Sequence, residues 1–64
     1  MTWHPETLRT LRARRRLTQA ALAARAGVHR VTIANLERGT RRPGLTMLER
    51  LAAALDVKIT ALLK

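Results

Sequence analysis

Residues 17–43 read LTQAALAARAGVHRVTIANLERGTRRP, and this stretch decides the fold. Leu22 and Ala26, then Ile33 and Leu36, are apolar positions at helical spacing. Thr18 is a natural N-cap for the first of two helices. Gly27 falls where a left-handed backbone ends a helix, a conformation glycine adopts cheaply. Gly39 stops the second helix, which spans roughly His29 to Arg38. The pattern predicts two short amphipathic helices joined by a tight turn, a helix-turn-helix unit over about 18–38. Arg30, Thr32 and Asn35 can face away from the apolar edge, towards a base. A helix presented in this way suits the major groove of DNA.

Working outward, the rest of the chain also reads as helix. Pro5 suits a first helical position and Glu6 a first turn. Leu8 and Leu11 then give an inward stripe to about Arg15. Thr40-Arg41-Arg42-Pro43-Gly44 is a loop by its proline and glycine. A fourth helix over about 45–55 buries Leu48, Leu51, Ala52 and Leu55, and a last helical turn lies around 59–63. The expectation is an all-α, compact five-helix bundle, with residues 1–64 forming one domain.

Composition narrows the functional classes. A chain of 64 residues buries only about 60% of its unfolded surface. It has no cysteine, so neither a disulfide nor a thiolate metal site supports the core. His4 and His29 are far apart and lack neighbouring carboxylates at ligand spacing; no metal and no cofactor is expected. No apolar run approaches the roughly 20 residues of a bilayer span, and MTWHPETL lacks the features of a secretory signal. A cytoplasmic protein, bacterial or phage and nucleoid-associated, is expected. Four acidic side chains, and no nucleophile beside a base, argue against an enzyme.

The net charge is +9 and unevenly spread. Residues 1–42 hold ten arginines against Glu6 and Glu37, whereas residues 43–64 are nearly neutral. The basic part is the part that carries the helix-turn-helix pattern, which points to a polyanionic partner.

The markers Leu17-Thr18-Gln19, Leu22-Ala23, Gly27-Val28, Thr32-Ile33, Leu36-Glu37-Arg38-Gly39, Pro43 and Leu48 through Leu55 stand in one register. In this the chain resembles the phage repressor and Cro type of helix-turn-helix domain, the lambda-repressor-like architecture, over about residues 8–63. The resemblance implies five helices, a third helix that reads DNA, and a homodimer on a palindromic operator. It places Arg30, Val31, Thr32 and Asn35 towards the bases. Arg30 suits guanine O6 and N7, Asn35 suits adenine N6 and N7, and Val31 suits a thymine methyl. A phosphate contact is the alternative for Arg30, an uncommitted surface position for Asn35, and the core edge for Val31.

Phosphate contacts are expected from Thr18 and Gln19, at a helix start whose free N–H groups and dipole favour an anion. Arg41 and Arg42, with Thr40, flank the same groove. His29 sits at the cap of the third helix, where a phosphate contact or plain surface exposure are the alternatives. The resemblance also implies an Arg12–Glu37 pair that turns Arg12 towards the DNA backbone and makes Glu37 structural. Arg14, Arg15 and Arg16 read as a solvated face. Arg16 stands where relatives often have glycine, so a looser turn is expected. Trp3 is a packing residue over the bundle or a dimer seam, and Leu45, Met47, Ile59, Leu62 and Leu63 are candidates for meeting a second copy.

The leading expectation is a sequence-specific regulator of transcription that binds double-stranded DNA, most simply a repressor. The alternative is an antitoxin that binds a toxin protein as well as its promoter. A membrane-active or nucleic-acid-condensing basic peptide is a third class, which a folded monomer without membrane affinity would remove.

Overall fold

Four α-helices and a final 3₁₀ turn make up the computed structural model, which describes residues 2–63. Helix α1 spans Pro5–Arg14, α2 Gln19–Ala26, α3 Arg30–Arg38 and α4 Leu45–Leu55; the 3₁₀ turn is Ile59–Leu62. The expected fifth helix is therefore corrected to a single tight turn. Ala61 N–H donates to the Lys58 carbonyl and Leu63 N–H to that of Thr60, both three residues back. Ile59 and Leu62 share an inward side equally well at the three-residue period of a 3₁₀ turn, so their spacing did not separate the two forms.

Local chemistry fixes the helix ends. Pro5 opens α1 with its ring-fixed backbone, and Glu6 lies in the first turn. The Thr18 hydroxyl oxygen accepts the Ala21 N–H at 3.0 Å and caps α2. Gly27 at φ 71° and Gly39 at φ 81° end α2 and α3 in the left-handed region. Among the described residues two non-glycines share that conformation: Arg16 at φ 55° and Asp56 at φ 54°. The turn after α1 is thus not loosened by arginine; it keeps the left-handed geometry at a cost of roughly 1–2 kcal/mol.

Leu8, Leu22, Ile33, Leu36, Leu51, Leu55 and Leu62 are fully buried in one core to which every helix contributes. Each such side chain contributes about 1.5–3 kcal/mol. Helix α2 packs on α3 and α4, α1 on α3, and α4 on the final turn. Trp3 is only 9% exposed and belongs to this core, as a packing residue over the bundle. The N–H of Thr2 donates to the Leu63 carbonyl and draws the two ends of the described chain together. Leu62, expected as a candidate dimer contact, is likewise interior. Leu45, at 68% exposure, stays outside.

Candidate nucleic-acid interface

The geometry of α2 and α3 follows from their buried faces. Leu22, Ala23 and Ala26 turn α2 inward; Ile33, Leu36 and Glu37 do the same for α3. This leaves Arg30, Val31 and Arg38 exposed along α3, with Thr32 and Asn35 half-buried at its margins. Val31 is 56% exposed, which removes the alternative that it completes the core edge. An exposed valine beside polar neighbours is available to an apolar base contact.

Each helix start supplies further anion donors. The Thr18 cap engages Ala21 N–H, while the Leu22 N–H reaches the Thr18 carbonyl. The first-turn N–H groups of Gln19 and Ala20 are those a helix leaves without an internal acceptor, where a phosphate is favoured. His29 is the N-cap of α3, is exposed, and makes no side-chain cap bond. Beyond α3, Thr40 donates its N–H at 3.1 Å and its hydroxyl at 3.3 Å to the Asn35 carbonyl. That fixes the start of the loop carrying Arg41 and Arg42, both exposed.

A polar network lies beneath the exposed face. Glu37 is 4% exposed and accepts from Arg12 Nε at 2.6 Å and Arg12 Nη2 at 3.0 Å. Gln19 Nε2 also donates to Glu37 Oε1, at 3.1 Å, and Arg9 Nε lies 3.8 Å from that oxygen. Arg12 is held a third time, Nη1 donating to the Leu17 carbonyl at 2.8 Å. Gln19 Oε1 in turn accepts from Arg30 Nη1 at 3.4 Å. Arg12, Gln19 and Arg30 are thereby brought into one connected group.

Burial alone pushes the Glu37 carboxyl upward, but the hydrogen bonds from Arg12 and Gln19 and the charges of Arg12 and Arg9 outweigh it. The net result is a pKa below the ordinary glutamate value. The Glu37 hydrogen bond holds Arg12 above its ordinary value, against a smaller lowering by burial.

Three structural roles were not legible in the sequence. Arg15 donates from Nε to the Leu55 carbonyl at 2.9 Å and from Nη2 to that of Asp56 at 3.2 Å, closing the carbonyl end of α4. Arg50 Nη1 does the same for α2, reaching the Gly27 carbonyl at 3.3 Å. Both place a cation where a helix carries partial negative charge. Arg38 Nη2 donates to Asn35 Oδ1, which takes one of the two lone pairs of that oxygen and leaves the other and the NH₂ end free.

Two adjacent helices with a glycine turn, the second presenting polar side chains over a buried edge, define the class: a helix-turn-helix domain. The Helix-turn-helix family profile matches residues 8–62, and the chain belongs to this family. It is 35% identical over 57 residues to an immunity repressor protein of Bacillus phage phi105, covering 89% of this chain and 40% of the repressor's length. Among solved structures it is similar to the restriction-modification controller protein C.AhdI from Aeromonas hydrophila, at 36% identity and TM-score 0.88. That match covers 91% of this chain and 88% of the controller. It is also similar to the P22 c2 repressor protein in complex with a synthetic operator, at 33% identity and TM-score 0.88, covering 100% and 97% of the two chains.

Among the described residues no helix is long and apolar enough to cross a membrane.

Proposed function

We propose that this chain represses transcription by occupying a specific duplex operator, with α3 in the major groove and residues 1–64 acting as one DNA-binding unit. Arg30, Val31, Thr32 and Asn35 read base edges. Thr18, Gln19, His29, Arg12, Arg41 and Arg42 engage the flanking phosphates, while Thr40, whose N–H and hydroxyl are both given to the Asn35 carbonyl, positions the loop that carries the two arginines. The single observation that carries this function is the likeness, over the full length of the chain, to a repressor solved on operator DNA. The exposed polar side of α3 supports it from within the molecule.

Two copies bind one palindromic site. Half-sites one DNA turn apart lie about 34 Å from centre to centre. The described chain measures 27 × 23 × 20 Å, so two copies fit side by side on one DNA face at that spacing. Leu45, Met47, Ile59 and Leu63 remain as apolar positions outside the fully buried core.

The test is selection of bound sequences from a random duplex pool, followed by sedimentation on the selected duplex. Two protein copies on an inverted repeat are expected. One copy on a site without internal symmetry would reject the dimer, and an unenriched pool would reject specific recognition altogether.

A further inference from the structure

We propose that Glu37, besides joining helices, is a positioning residue for base readout, because through the Gln19 amide it fixes the direction of the Arg30 guanidinium. This rests on the assignment of Arg30 to base contact in the proposed function.

The reasoning is one of donors and acceptors. An ionised carboxylate only accepts hydrogen bonds. Glu37 Oε1 therefore draws the NH₂ end of Gln19 inward, at 3.1 Å, and leaves the amide oxygen of Gln19 as the end that faces Arg30. A guanidinium only donates, so the oxygen is the one end of that amide it can bond, and it does so at 3.4 Å. Turning Glu37 over would not reverse this order, because both of its oxygens only accept, and Arg12 holds both of them in place in a buried site. The polarity of a buried ion pair is thus passed outward, across two helices, to the first residue of α3. A guanidinium on a long, flexible stem discriminates guanine only when its fork is aimed. The network supplies that aim before DNA arrives.

Glu37→Gln replaces the acceptor-only group by an amide that can present either end. Gln19 then loses its fixed order, and in one of the two orders its NH₂ faces Arg30, which has nothing to accept with. Gln19→Met removes the relay while leaving the Arg12–Glu37 pair intact, and so serves if Glu37→Gln does not fold.

The experiment measures affinities of wild type, Glu37→Gln, Gln19→Met, Arg30→Ala and the double variants with Arg30→Ala. Each is titrated against the selected duplex and its full set of single-base changes. Folding is checked by circular dichroism. Arg30→Ala first locates the base pair that Arg30 reads. At that pair alone, Glu37→Gln and Gln19→Met are expected to lower the ratio of preferred to changed base by about 3- to 10-fold, a part of what one bidentate contact discriminates. In the Arg30→Ala background neither change should lower it further. A merely structural role for Glu37 would weaken every duplex alike and leave all ratios unchanged; that result in both variants would overturn the proposal. If Arg30→Ala itself moves no single ratio, the assignment of Arg30 fails first, and the relay with it.

Discussion

Arg12 and Glu37, 25 positions apart, meet at two points, with Nε to Oε2 at 2.6 Å and Nη2 to Oε1 at 3.0 Å. The pair ties α1 to the last turn of α3. With the Glu37 side chain 2% and the Arg12 side chain 17% exposed, it lies where a lost partner is expensive. Removing one member leaves a charge buried without its counterpart, which costs about 3–5 kcal/mol.

Glu37→Ala is therefore expected to lower the unfolding free energy by about that amount, measured by urea denaturation. Replacing both members, as Arg12→Met with Glu37→Leu, should cost much less, because no unpaired charge is left behind. A double variant as unstable as Glu37→Ala would show that the cost is not one of an orphaned charge.

The same pair sets an acid limit. The folded-state pKa of Glu37 lies below its ordinary value, so the unfolded chain takes up the proton more readily than the folded one. The carboxylate's contribution is fully present above the unfolded glutamate pKa of about 4.3 and is lost as the pH falls through the lower folded value. The melting temperature of the wild type should fall more steeply than that of Glu37→Gln as pH drops from about 5 to about 3. Parallel curves for the two proteins would contradict this.

Arg16 holds a left-handed backbone at φ 55°, which an L side chain adopts at a cost. Arg16→Gly removes that strain but frees the unfolded chain, and the balance is a stabilisation on the order of 0.5–1 kcal/mol. Asp56→Gly, at φ 54°, should gain less, because aspartate tolerates this conformation better than most residues. Thermal melts of the two variants decide it, and a lower melting temperature for Arg16→Gly would count against strain at that turn.

Most of the fold was legible because it is local. Thr18, Gly27, Gly39 and Pro5 mark helix ends by their own backbone and capping chemistry, and Leu22, Ile33, Leu36 and Leu51 repeat at helical spacing. The final turn is not distinguished from a helix by sequence, since Ile59 and Leu62 fit either period. Trp3 precedes the first helix, so no periodicity placed it in the core. Arg15 and Arg50 act through carbonyls 40 and 23 positions away, and in sequence they are indistinguishable from solvated arginines. Of the candidate interface, the exposed residues of α3 could be read from the motif. The link from Glu37 through Gln19 to Arg30 could not, because it exists only once α2 and α3 are packed.

Readout and anchoring should separate by substitution. Arg30→Ala and Asn35→Ala are each expected to cost about 1–3 kcal/mol on the preferred duplex and to relax preference at one position. Arg42→Ala should weaken all duplexes alike and reduce the salt slope by about one. A uniform loss for Arg30→Ala would make it a phosphate contact.

The central claim is sequence-specific recognition of duplex DNA, and a salt-controlled titration of the wild-type chain against its selected duplex and a scrambled one tests it most directly. Binding to the selected duplex is expected in the nanomolar range, at least about 10³-fold tighter than to the scrambled one, with affinity for both falling steeply as salt rises from about 50 to 200 mM. Equal affinity for the two duplexes at every salt concentration would contradict the claim.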